Sequence, residues 1–152
     1  MYLKLHNKIS PKRVAALMLP ELAEDEPEYG SENVYEWVYI DLPSVAFSLD
    51  VTRDHGMSDV DDDLLEKMTA SELEALPSAG PTYIFGWDRQ RDVYVEDIPD
   101  SVIRLLCART QTDIAVHPGR IDMDKEDPKP IKHFRYKANK LGFSGRSTAA
   151  KP

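Results

Sequence analysis

The chain has a single cysteine, Cys107, in 152 residues. No internal disulfide can form, and a reducing compartment, the cytoplasm, is expected. Long apolar runs are also missing. The longest, Val14 to Leu19, has six residues, against the roughly 18 that span a bilayer, so no membrane association is expected. The opening MYLKLHNKIS lacks the apolar core of a secretory signal. Glycine is scarce at seven, and the one close pair, in GFSGRS (Gly142 to Ser147), follows no strand and lacks the lysine of a phosphate loop. Nucleotide-loop and dinucleotide-binding chemistry therefore have no support. His6, His55, His117 and His133 are scattered, with no H-E-x-x-H and no cysteine pair to suggest zinc. No G-x-S-x-G marks a serine nucleophile. No cofactor is implied.

One further absence concerns charge. After Asp127 there is no acid, while seven Lys and Arg fall in the last 25 residues. All 27 Asp and Glu lie at or before Asp127 with twelve of the 19 Lys and Arg, so a body of −15 carries an extension of +7. An acidic body is ordinarily a solubility feature. It also repels nucleic acid, or imitates it toward a basic partner.

What is present reads as one α+β domain, residues 1–127, followed by a basic tail, 128–152. Tyr2 to His6 alternates as a short strand. SPKRVAALMLP has Ser10 as N-cap, Pro11 at the first helical position and Pro20 as stop, with Val14, Leu17 and Met18 on one face. ELAEDEPEYGSEN, with six acids, reads as a solvated loop. VYEWVYIDL is a strand with Val34, Val38, Ile40 and Leu42 on one side and Tyr35, Trp37 and Tyr39 on the other. VAFSLDV alternates with Val45, Phe47, Leu49 and Val51 inward and Asp50 outward, and Pro43-Ser44 turns the pair into a hairpin.

SDVDDDLLEKMTASELEAL is helical with a break near Thr69, where Thr69 and Glu72 fit a capping box; Ser58 or Asp59 would cap its start. TYIFGW and DVYVEDI flank DRQR as a second hairpin. SVIRLLCART is a helix with Val102, Ile103, Leu106 and Cys107 inward, the thiol buried and inert. DIAVH and RIDM, around Pro118-Gly119, suggest a third hairpin, and DKEDPKP a linker. In the tail, Ile131, Phe134, Ala138 and Leu141 recur at helical spacing, which predicts a short amphipathic helix over 131–141 with Gly142 beyond its end. The fold expected is a mostly antiparallel sheet of hairpins with about three helices on one face, plus the basic extension.

Two constellations carry candidate chemistry. Asp54, His55, Asp59, Asp61, Asp62 and Asp63 gather oxygen and nitrogen ligands in ten residues, yet an EF-hand loop opened at Asp61 has Leu65 and Glu66 where a ligand and a glycine belong. The cluster reads as helix-capping acids, and a small metal-dependent hydrolase is its functional alternative. The second is cationic and aromatic: Ile131, Lys132, Phe134, Arg135, Tyr136, Lys137, Lys140 and Leu141 in the tail, with Arg89 and Arg91 at a hairpin tip beside Trp87. Cations and rings suit nucleic acid, but the apolar stripe favours docking on protein. The expectation is a non-enzymatic protein-binding or assembly protein whose tail docks on another copy or a partner, with nucleic acid the second choice. Its composition resembles that of phage or mobile-element accessory and structural proteins. An acidic inhibitor imitating nucleic acid toward a DNA- or RNA-binding enzyme is the alternative.

Overall fold

Seven residues, Tyr35–Asp41, set the architecture: Glu36, Val38 and Ile40 are buried, while Tyr35, Trp37, Tyr39 and Asp41 are only partly covered. In the computed structural model, which describes residues 1–22, 27–57 and 61–138, this stretch belongs to an eight-stranded antiparallel sheet. The strands are β1 (Tyr2–Leu5), β2 (Tyr29–Glu32), β3 (Tyr35–Asp41), β4 (Ser48–Asp54), β5 (Thr82–Asp88), β6 (Val93–Val95), β7 (Ile114–His117) and β8 (Lys132–Phe134). They lie in the order β2-β3-β4-β5-β1-β7-β8, with β6 paired to the second half of β5. Four helices, α1 (Pro11–Met18), α2 (Asp62–Lys67), α3 (Ala70–Glu74) and α4 (Asp100–Thr110), complete the α+β fold.

The helix ends follow the local chemistry. Ser10 Oγ accepts from the Arg13 amide at 3.2 Å, with Pro11 opening α1. Thr69 and Glu72 form the reciprocal capping box at α3, at 3.1 and 2.9 Å. Asp61 caps α2, while Ser58 and Asp59 lie outside the described residues. The break at Thr69 makes two helices of the one expected.

Alternation then builds the core. Leu3, Leu5, Val38, Ile40, Leu49, Val51, Ile84, Ile114 and Val116 point from the sheet to Val14 and Met18 of α1 and Val102, Ile103 and Leu106 of α4, all 3% exposed or less. Truncating one such leucine to alanine typically costs about 2–5 kcal/mol.

Three expectations are corrected. ELAEDEPEYGSEN is not all loop: Tyr29–Glu32 pairs with β3 around a tight turn in which Asn33 takes a φ of 56°. This strand sits at a sheet edge, so its sequence need not alternate. Gly30 belongs there because the Trp37 indole lies across it, and a Cβ would sit 2.7 Å from the ring. RIDM is no strand; the partner of β7 is β8. The predicted helix over 131–141 is therefore replaced at Lys132–Phe134 by a strand, Ala138 is not helical, and Leu141 lies outside the described residues. The open edge of β7 supplies backbone partners that an isolated turn of helix cannot match, and the Ile131 amide already bonds Val116 O at 2.8 Å. Lys132–Phe134 thus joins the sheet that the preceding residues build. A smaller difference is that β4 starts at Ser48, leaving Val45 and Phe47 to pack against the core from the preceding turn.

The helix-covered face also buries an ion pair, Glu36–Arg53, both side chains fully excluded from solvent. Arg53 Nε and Nη2 reach Glu36 Oε2 at 3.0 and 2.7 Å, and Nη2 also donates to Leu73 O of α3 at 2.9 Å. Tyr29 of β2 donates to Glu36 Oε1 at 3.2 Å. One carboxylate thus ties three strands to a helix. Arg53→Met, which strands the Glu36 charge, is expected to cost about 3–5 kcal/mol in urea denaturation, while the double change with Glu36→Leu recovers most of that loss.

Candidate functional site

Most of the cations expected to bind a partner are engaged within the chain. Lys132 Nζ pairs with Asp100 of α4 at 3.1 Å, and Arg135 Nη1 with Asp113 at 3.3 Å. The Tyr136 amide donates to Asp113 Oδ1 at 2.7 Å. Phe134 and Tyr136 pack against the core, Ile131 stands 64% exposed and Lys137 is exposed. Lys140 and Leu141 lie outside the described residues. Arg91 pairs with Asp88 at 2.9 Å, and Arg89 with Asp41 at 3.3 Å while stacking 4.8 Å above the Tyr39 ring.

The described members of the acid cluster bond to nearby backbone. Asp54 Oδ1 accepts from the Gly56 amide at 2.7 Å, buried His55 accepts at Nδ1 from the Met57 amide at 3.1 Å, and Asp61 caps α2. Asp59 lies outside the described residues. Among the described residues no group of three or more His, Cys, Asp or Glu is placed to hold a metal ion. Cys107 is buried, and that burial raises its thiol, as an inert core cysteine requires.

What the sequence reading left aside is the other face of the sheet. Strand register puts Tyr35, Trp37 and Tyr39 of β3, Tyr83, Phe85 and Trp87 of β5, Tyr2 of β1 and Tyr94 of β6 together on the side away from the helices. These are eight of the chain's thirteen Trp, Tyr and Phe, and both tryptophans. The only signal available in sequence was the double-sided apolar character of VYEWVYIDL, because the assembly of rings from four strands is a product of pairing. Phe85 stacks on Tyr94 at 5.6 Å and meets Trp87 edge-on at 6.5 Å.

The connection from β7 to β8 crosses part of this face. Its Ile121, Asp122 and Met123 line a groove of about 390 Å³ with Tyr35, Thr52 and Phe85. Its Asp127 accepts from the Tyr2 hydroxyl at 2.6 Å, Lys4 Nζ at 3.0 Å and the Tyr83 hydroxyl at 3.0 Å. Nearby, the His117 ring stacks on Tyr2 at 5.1 Å and its Nδ1 meets Pro128 O at 2.7 Å. Burial alone would raise Asp127, but these three donors outweigh it and hold the carboxyl below its ordinary value. Burial and the Asp127 bond push Tyr83 up to about 12.

Beyond the crossing segment, the face opens around Asp50. In register this residue sits between Tyr39 and Phe85, with Trp37 and Trp87 on the diagonals. Its Oδ1 is shielded from solvent without a hydrogen-bond partner. Burial pushes the Asp50 carboxyl up to about 7. At one end the face runs into a groove of about 780 Å³ lined by Asp41, Pro43, Phe47, Asp88 and Arg89 among others. The surface so formed is aromatic, with Asp50 between Tyr39 and Phe85.

No known protein family, curated protein sequence or solved structure matches this chain.

Two outcomes follow from the carboxylates. A carboxyl depressed in the fold stabilises it above the unfolded value near 3.9, and that contribution fades as pH falls through it. Asp127→Asn is expected to lose about 1–3 kcal/mol at pH 7 in chemical denaturation, with the deficit narrowing as pH falls below the unfolded value near 3.9. Asp50 has the opposite sign: a raised carboxyl destabilises the fold above pH 7 and does so less and less toward pH 4. Asp50→Asn should therefore melt higher than the natural chain at about pH 8 and nearly level with it at about pH 4.

Proposed function

We propose that this chain is a non-enzymatic protein-binding and assembly protein, whose open sheet face takes the basic C-terminal segment of a second copy. The observation that carries the reading is the gathering of eight aromatic side chains and unneutralised acid on the face the helices leave bare. Trp and Tyr dominate the energetics of protein interfaces because each buries about 150–250 Å² with few rotors to freeze. Asp50 and Asp54, which no cation among the described residues pairs with, set the sign of the occupant.

The chain itself carries a segment of matching chemistry. From Lys137 onward it has Lys137, Lys140, Arg146 and Lys151, with Leu141 and Phe143, and no acid. Lys132 and Arg135, being paired with Asp100 and Asp113, leave intermolecular docking to this later stretch. Charge complementarity selects the surface, and ring burial supplies the hold.

The same rings could stack nucleic-acid bases, as sheet-based RNA readers do, but the surrounding carboxylates repel phosphates, which keeps nucleic acid second. Imitation of nucleic acid is less well supported. Asp61, Asp62 and Asp63 belong to the α2 end on the helix side, whereas Asp41, Asp50 and Asp54 lie on the opposite face. The acids are divided rather than continuous.

Light scattering over a range of protein concentrations tests the reading. The full chain should gain mass with concentration. A chain ending at Tyr136, and the full chain with Trp37→Ala and Trp87→Ala together, should stay monomeric. A full chain that remains monomeric throughout, or truncation that leaves association intact, overturns it.

A further inference from the structure

Asp50 is the carboxylate on the open face that the fold leaves without a partner. Asp41 accepts from the Ser48 hydroxyl and pairs with Arg89, Asp54 accepts from the Gly56 amide, and Asp127 takes three donors. Among the described residues nothing donates to Asp50 Oδ1, and that oxygen is shielded from solvent. A carboxylate so placed costs free energy unless a proton or a cation reaches it. It stands in the central part of the sheet, on β4 between two long strands, where its neutralisation has to come from outside the face.

Its surroundings favour a cation that carries its charge on an alkyl stem. Tyr39 and Phe85 flank it across roughly 5 Å of strand spacing, and ring faces attract ammonium and guanidinium groups. The molecule already makes such a contact next door, where Arg89 lies 4.8 Å over Tyr39. We infer that Asp50, with Tyr39 and Phe85, forms a subsite for one Lys or Arg side chain of the incoming segment, its charged end on Asp50 Oδ1 and its stem between the rings. The inference rests on the proposed docking face and names the residue that reads charge within it.

Proton and cation then compete for one oxygen. The ionisable groups on the open face around Asp50 are Tyr39 and Asp41 from β3, Asp54 from β4, Tyr83 from β5, Tyr94 from β6, Arg89 from the hairpin, and Asp122 and Arg120 from the crossing segment. Arg120 lies 5.1 Å over the Tyr94 ring and pairs with Glu96 at 3.6 Å. Burial raises Tyr39, Tyr83 and Tyr94, which stay neutral near pH 7, and Arg89 and Asp41 are paired with each other. Asp50 is left as the group whose charge changes there, so the subsite opens to a cation as pH rises from about 6 to about 8.

The experiment titrates a fluorescent synthetic peptide of residues 136–152 into the full chain, into its Asp50→Asn variant and into a Trp37→Ala variant, at pH 6 and 8. A control peptide has its Lys and Arg replaced by Gln. The natural chain should bind the basic peptide about tenfold more tightly at pH 8 than at pH 6. Asp50→Asn should lose that difference and bind about tenfold more weakly at pH 8, while its thermal midpoint, at or above that of the natural chain, reports an intact fold. The Gln peptide should bind the natural chain and Asp50→Asn alike. Equal binding of the basic peptide to both proteins, with loss in Trp37→Ala, overturns the Asp50 subsite and leaves the docking face standing. No binding to the natural chain at either pH overturns both.

Discussion

One carboxylate, Asp127, decides how the second face of the sheet is organised. It gathers the hydroxyls of Tyr2 and Tyr83 and the ammonium of Lys4, and so pins the connection between β7 and β8 across β1 and β5. With the connection held there, Pro128 O meets His117 and the chain re-enters the sheet as β8. Three donors on one partly buried carboxylate make a clasp of charge-assisted bonds, stronger than neutral ones. Only part of the face is thereby covered, and the rest, around Asp50, stays open.

The two faces solve the problem of charge in opposite ways. On the helix side, Glu36 and Arg53 are fully buried but neutralise each other, with Tyr29 and Leu73 O taking up further bonding capacity. On the open side, Asp50 has rings for neighbours and no counter-charge. The first arrangement gains register, because slipping β3 against β4 by one residue would put Glu36 on the face opposite Arg53. The second leaves a site where stability is given up near neutral pH.

The basic end of the chain takes on a different meaning in this frame. Its seven cations are not one arm. Lys132 and Arg135 fasten β8 to α4 and to Asp113, just before β7, while Phe134 joins the core. The helical spacing of Ile131, Phe134, Ala138 and Leu141 is real in the sequence, yet Lys132 and Phe134, two residues apart, equally fit one side of a short strand. The exposed edge of β7 decides between them. An eight-stranded sheet offers a short segment backbone partners that a lone helical turn lacks.

The sequence by itself determined the α+β class, the caps at Ser10 and Thr69, the hairpins of β3–β4 and β5–β6, and the inward faces of α1 and α4, because each is set by neighbours within a few residues. It also showed Trp37, Tyr39 and Asp50 facing away from the core residues of their strands. Only the tertiary structure decided that β2 completes an edge, that β8 rather than Arg120–Met123 pairs with β7, that Glu36 and Arg53 are buried together, and that eight rings share the face on which Asp50 lies between Tyr39 and Phe85. Apart from the β2–β3 turn, those features join residues more than ten positions apart, and such contacts depend on which edges and faces the assembled sheet leaves unfilled, a quantity no local window of sequence contains.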